Sequence, residues 1–336
     1  MTLNELWFIL VAVLFIGFFI LEGFDFGVGM STRFLARNQK ERDQLVSTIG
    51  PFWDANEVWL ITAGGAIFAA FPEWYATMFS GYYLPFVLFL LALIVRGVAF
   101  EFRHKVDHKW VSFWDWMIFV GSIVPAFIMG VLFTSLVRGM PIDEAKNIFA
   151  SFGDYFNLYS IVGGIAIVML CLVHGLTFIG IRTEGPIRER AQKLVTKLYL
   201  LLFAGLVVFA VLTYTNTDLF TARPLATPLF LAGAVITAIL GYFFAVKKRE
   251  GLAFTMTAMT IFMTVTMLFV GLFPRVMISS ISEAYNLTIS NAASGPYTLK
   301  VMTIAAVTLL PFVLGYQIWS YYVFRKRIKD NEPVGY

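Results

Sequence analysis

The chain has 336 residues, 59% of them hydrophobic and only 14% charged, with a mean hydropathy of +0.78. Soluble domains carry roughly 25% charged residues, so this composition excludes a water-exposed globular surface and indicates an integral membrane protein. The net charge of +4 does not point to nucleic acid as a partner, and the single cysteine, Cys171, excludes an intramolecular disulfide framework or a Cys-ligated cluster.

A crossing helix needs about 20 apolar residues. Runs of that kind predict nine helices, at about 6–30, 51–71, 79–102, 114–136, 157–181, 195–214, 226–246, 252–273 and 298–323. A porin-type barrel does not fit, because its strands alternate polar and apolar residues whereas stretches such as 84 to 95 are continuously apolar. The first helix runs into GFDFGVG at 23 to 29 without a cleavage site of small residues, and is expected to be retained. The longest outer connections, about 137–156 and 274–297, are too short for a core of their own, so 1–336 reads as one membrane domain.

Basic residues resist translocation and gather in short cytoplasmic loops. After the odd-numbered helices come Arg33, Arg37, Lys40 and Arg42; Arg103, Lys105 and Lys109; Arg182, Arg188, Arg190, Lys193 and Lys197; Lys247, Lys248 and Arg249; and Arg325, Lys326, Arg327 and Lys329. The other loops hold only Arg138, Lys146, Arg223, Arg275 and Lys300. The expected orientation is therefore N-terminus outside and C-terminus in the cytoplasm, which requires an odd number of spans.

Charge inside a bilayer is costly, so each intramembrane ionisable residue is a candidate for function. Glu22 and Asp25 lie one turn apart on the first predicted helix, Asp54 and Glu57 one turn apart on the second, and Arg96 and Glu101 near the end of the third. At 1.5 Å per residue, Asp25 is about 7 Å and Glu22 about 12 Å from the cytoplasmic end near Met30. The second helix starts from that same side, so four acids are expected to converge with Arg96 as their buried counter-charge. Burial and like-charge proximity are the conditions for carboxyls that exchange protons near neutral pH. A plainer explanation exists for Asp54 and Glu57, since Gly50-Pro51 looks like a helix start and acids suit a first turn. Glu22 and Asp25 sit at the far end of their helix, where the dipole disfavours acids.

Gly23 and Gly27 have the G-x-x-x-G spacing of closely packed helices, and Gly64 with Gly65, Gly121, and Gly163 with Gly164 read the same way. The run is not a nucleotide fingerprint, because no strand precedes it. Of the three histidines, His104 and His108 lie in or beside a cytoplasmic loop and His174 stands alone in the fifth helix, where a hydrogen-bonded packing role is favoured over metal ligation. No pair of ligands can be placed across a haem, and no catalytic, cofactor or metal site is expected in this chain. Most tryptophans suit interface belts; Trp59 is the least interfacial.

In series, LEGFDFGVGMSTRFLARN at 21 to 38, PFWDANEVWLITAGGAIFAAFP at 51 to 72, and the GYY, RGVAFEFR and FWDWMIFVGS segments resemble subunit II of cytochrome bd quinol oxidases. LFP at 272 to 274 and LKVMT at 299 to 303 extend the likeness. The resemblance implies an all-α polytopic membrane protein with two four-helix bundles, 1–136 and 157–273, and a peripheral ninth helix, 298–323. It implies a haem-free subunit in a bacterial cytoplasmic membrane, beside a larger subunit I that holds haem b and haem d and oxidises quinol while O2 is reduced to water. Quinone and lipid are further partners, and a small single-helix subunit is a possible third chain. By motif position, Asp25 of GFDFG and Asp54 of FWDAN would serve proton uptake, with Glu22, Glu57, Arg96 and Glu101 supporting, and Trp59 of EVW would line O2 access. Two rival readings are a secondary transporter, disfavoured because its repeats would place acids in both halves, and a scaffold whose acids only bind neighbouring bases.

Overall fold

In the computed structural model, residues 1–329 are described, without the side chain of His108. The first helix, α1 (Leu3–Phe34), opens on a capping box in which Thr2 and Glu5 exchange side-chain and backbone hydrogen bonds. Its 32 residues make it about 48 Å long, well beyond the hydrocarbon core. The chain continues through α2 (Gln39–Ile49), α3 (Trp53–Ala70), α4 (Pro72–Gly81), α5 (Tyr83–Phe102), α6 (His108–Arg138), the short α7 (Phe152–Tyr155), α8 (Leu158–Arg182), α9 (Pro186–Asn216), the short α10 (Leu219–Ala222), α11 (Ala226–Val246) and α12 (Glu250–Leu272). A small antiparallel hairpin, β1 (Arg275–Met277) with β2 (Leu287–Thr288), precedes α13 (Pro296–Val323).

The all-helical, multi-span architecture agrees with the sequence reading. Among the described residues, eight helices are long and apolar enough to cross a membrane: α1, α5, α6, α8, α9, α11, α12 and the last, α13. The second predicted span differs, because α3 has only 18 residues and carries Asp54, Asn56 and Glu57 in its first turns. Three further differences share one cause. Hydropathy marks only the lipid-facing part of an element, so the polar α2 escapes it, α6 begins at His108 instead of 114, and α9 begins at Pro186 instead of 195. Pro186 at the first helical position is itself a start signal.

α1 is the axis of the fold and packs on α3, α6, α8, α12 and α13. From Glu22 to Thr32 every residue of it is buried. Van der Waals contact is the main force between helices in lipid, so small residues decide how closely they approach. A methyl group on Gly27 would lie 2.8 Å from the Cα of Gly175 on α8, whereas one on Gly23 would meet nothing closer than 3.6 Å. The close approach therefore pairs Gly27 with Gly175, and Gly23 contributes little. Gly121, Gly163 and Gly164 do face close neighbours, but Gly64 and Gly65 have nothing within 4 Å and are not packed against another helix of this chain. Trp7 and Trp74 are buried inside the fold and do not belong to an interface belt.

The predicted basic loops gather at one end, tied by ion pairs between elements distant in sequence. Arg190 meets Glu41 at 2.7 Å. Glu250 accepts from Arg188 and Arg327. Arg103 bridges Asp43 at 2.7 Å and Asp115 at 3.0 Å. The opposite loops are knitted by backbone hydrogen bonds, with Met140 donating to the Ile278 carbonyl and accepting from the Ser280 N–H.

Candidate proton site

α1 and α3 bring their acids to α5 at the basic end of the bundle. Glu22, Asp25 and Arg96 have no exposed surface. The guanidinium of Arg96 is in ion contact with Glu22 Oε1, and its same Nη2 lies 3.2 Å from Glu57 Oε1. The rings of Phe26 and Phe100 flank it, with centroids 4.7 and 5.6 Å from Cζ. Aromatic faces favour a cation and keep water out. Glu57 keeps 18% of its side chain exposed on the surface of this chain.

Two sequence candidates fall outside this group. Asp54 is exposed on the surface of this chain, one turn before Glu57, so it does not converge with the buried acids as expected. The rotational phase of α3 is the reason: it turns Asn56 toward α1 and leaves Asp54 outward. Glu101 is also exposed and pairs with Lys105 at 3.4 Å, a turn of helix away at the surface.

Asn56 carries no charge, so its place in the site does not show in the pattern of ionisable residues. It is fully buried, and its Nδ2 donates to Asp25 Oδ2 at 2.7 Å. Its Oδ1 accepts from Tyr321 Oη at 2.8 Å and from Gln317 Nε2 at 3.3 Å, both on α13. Gln317 Oε1 in turn accepts from the indole N–H of Trp59 at 3.0 Å. The signal was available, because neutral polar side chains in apolar helices find one another across interfaces. Trp59 itself borders a cleft of about 190 Å³ between α3 and α13 that Leu14, Val58, Leu310 and Val313 also line.

Charge balance distinguishes this cluster from its neighbours. The group formed by Arg42, Arg103, Asp43 and Asp115 has equal numbers of bases and acids, and Glu250 has two arginines. The inner cluster has three carboxyls, Glu22, Asp25 and Glu57, around one guanidinium. An uncompensated buried charge costs several kcal/mol. Asp25 Oδ1 and Glu22 Oε2 also lack any hydrogen-bond donor among the described residues. Three carboxyls around one guanidinium leave a net negative charge in a buried site unless protons are bound.

His174 has both ring nitrogens engaged, Nδ1 with Thr257 Oγ1 at 2.7 Å and Nε2 with the Ile20 carbonyl at 3.1 Å, and its ring stacks on Phe254. It is a packing residue, and its surroundings do not fit a haem ligand. Among the described residues no group of three His, Cys, Asp or Glu side chains is placed to hold a metal ion.

A family model described as cytochrome bd terminal oxidase subunit II matches residues 3–324. The chain is 59% identical over 336 residues to the cytochrome bd ubiquinol oxidase subunit 2 of Bacillus subtilis, covering 100% of this chain and 99% of that one. It is 36% identical over 366 residues to the cytochrome bd-I ubiquinol oxidase subunit 2 of Escherichia coli, covering 98% and 96%. A solved structure of bd oxidase from Geobacillus thermodenitrificans has the same fold, with a TM-score of 0.75 at 17% identity, covering 97% of this chain and 100% of that one.

Proposed function

The chain belongs to the cytochrome bd terminal oxidase subunit II family, and on that premise we propose that it is the haem-free partner that brings protons from the cytoplasm toward the site of O2 reduction. Membership makes it a subunit of a membrane-bound quinol:O2 oxidoreductase and sets the transporter reading aside. The complex uses haem and quinol; in this proposal the larger subunit I holds haem b and haem d, and the present chain supplies interface, proton uptake and O2 access. A small single-helix subunit would be an additional neighbour.

The observation that carries the proposal is the excess of three buried or half-buried carboxyls over the one guanidinium of Arg96. Asp54, exposed in the first turn of α3, would collect protons at the rim. Glu57, one turn deeper and partly exposed, would receive them, and Glu22 and Asp25 would hold them beyond Arg96. Glu101, at the surface, would add negative potential near the mouth. The 190 Å³ apolar cleft beside Trp59 supports the O2 role assigned to that residue. The N-terminus would lie outside and the C-terminus inside, with α3 as the ninth crossing. The bundles 1–136 and 157–273 would join along α1, α6 and α8, and α13 would pack outside them.

Asp25→Asn in the purified complex keeps the side chain's size and its ability to accept from Asn56 but cannot carry a proton. Quinol-driven O2 consumption is expected to fall about tenfold or more, as for loss of a proton-transfer group, with the haem absorbance unchanged. Normal turnover and normal proton uptake by this variant would refute the proton role and favour the scaffold reading.

A further inference from the structure

The hydrogen bonds around Asn56 have a direction, and that direction starts at Trp59. An indole N–H can only donate. Gln317 must therefore turn Oε1 to Trp59, and the distance of 3.0 Å agrees. That leaves Gln317 Nε2 facing Asn56, whose Oδ1 must accept it at 3.3 Å. Tyr321, free to donate or accept, must then donate to the same Oδ1, from 2.8 Å. The remaining half of the Asn56 amide, Nδ2, must donate, and it meets Asp25 Oδ2 at 2.7 Å and, more distantly, the acceptor-only Leu21 carbonyl at 3.4 Å, which favours the same orientation. Flipping Asn56 would set two N–H groups against each other at Gln317 and two acceptors against each other at Asp25. A buried polar group left unpaired is strongly disfavoured, so the chain has one orientation.

We infer that Trp59, Gln317, Tyr321 and Asn56 form a one-way hydrogen-bond chain that makes Asp25 Oδ2 a permanent acceptor and confines any proton on Asp25 to Oδ1. Asp25 Oδ1 is the oxygen with no donor, and Glu22, whose Oε2 also lacks one, lies one turn back on the same face of α1. A proton on Oδ1 is thus left free for exchange on the side of the cluster that Glu22 occupies. A fixed direction removes the need to reorient the carboxyl before each transfer, which is the advantage of a preorganised polar site. The chain also gives α13 a task. Only Leu299 of that helix is buried, yet Gln317 and Tyr321 reach inward to the one amide that touches Asp25. Trp59 is held in turn by Gly17 of α1, where an added methyl group would lie 3.0 Å from the indole Cδ2. Trp59, Gln317, Tyr321 and Asn56 are positioning residues in this scheme, and the inference rests on the proton role proposed for Asp25.

The test is infrared difference spectroscopy of the whole complex, reading the carboxyl C=O band that disappears in Asp25→Asn. Gln317→Met keeps length and volume without hydrogen bonds, and Trp59→Phe keeps a ring over Gly17 without the N–H. Neither side chain touches Asp25, yet both variants are expected to move the Asp25 band to higher wavenumber, because the Asn56 amide is then held by the Leu21 carbonyl and Tyr321 without the hold of Gln317, and its donation to Oδ2 weakens. Turnover is expected to fall about fivefold in each, the rate equivalent of about 1 kcal/mol for one neutral hydrogen bond. The double variant should fall no further, since both cut the same chain. An Asp25 band unmoved in Gln317→Met and Trp59→Phe overturns the chain while leaving the proton role standing. Absence of any Asp25-dependent band, with normal turnover of Asp25→Asn, takes both down.

Discussion

Replacing Arg96 by methionine leaves Glu22, Asp25 and Glu57 around an apolar side chain of similar reach. Arg96 has no exposed surface, contacts Glu22 directly, and lies 3.2 Å from Glu57. Removing one partner of a buried ion pair typically costs about 3–5 kcal/mol, because the other charge stays buried and alone. The cost here belongs at the upper end, since one guanidinium serves two carboxylates and, among the described residues, Asn56 is the only other donor in contact with an acid of the cluster, at Asp25. The same reasoning predicts rescue. In Arg96→Met with Glu22→Gln the acid in direct contact with the lost guanidinium is neutral, Asp25 keeps the donor Asn56, Glu57 keeps its partial exposure, and coupling between neighbours of about 1–3 kcal/mol should return. The assay is thermal inactivation of the detergent-solubilised complex, with the haem absorbance as a measure of assembly. The expected order is native, then the double variant, then Arg96→Met. A single variant as stable as the native complex, or a double variant no better than the single, would show that the guanidinium does not compensate these acids.

Gly27→Ala should separate α1 from α8 and cost about 1–3 kcal/mol by overpacking, whereas Gly23→Ala should be close to neutral because its methyl group would meet only ordinary contacts; heat stability of the two complexes compares them directly. At the basic end, burial works against ionisation of Glu41, but donation from Arg190 and from the backbone N–H of Arg37 outweighs it and holds the carboxyl below its ordinary 4.5. A group depressed on folding contributes stability that is fully present above its unfolded value and is lost as the pH falls through its folded one. The native complex should therefore lose stability below about pH 4.5 in part through Glu41, and Glu41→Gln should flatten that acid limb; identical acid limbs would exclude the pair.

What the sequence made visible follows from which quantities survive projection onto one dimension. Mean apolarity survives, so the apolar stretches of eight spanning helices are legible although α6 and α9 start earlier than their apolar runs, and charge is rare enough in such helices that Glu22, Asp25, Glu57 and Arg96 stand out individually. Rotational phase survives only where one face of a helix differs from the other. α1 is buried on all sides from Glu22 to Thr32, so any acid there is internal, as Glu22 and Asp25 are. α3 mixes apolar and small residues around its whole circumference, which gave no means of telling that Asn56 faces inward and Asp54 outward.

Partnership across long separations does not survive at all. Asn56 and Tyr321 are 265 positions apart, and although Gln317 is the one carboxamide of α13, nothing in the sequence says which helix it meets or singles out Tyr321 among its aromatic neighbours. Yet the chemical types at these positions carry a constraint once they are placed together: a donor-only indole, two amides and a phenol can be ordered in one way. The acids of the site could be recognised from their rarity, whereas the groups that aim them could be recognised only from contact. Substitutions on α13 that leave every charge in place are therefore expected to alter proton delivery, a result that no inventory of ionisable residues would anticipate.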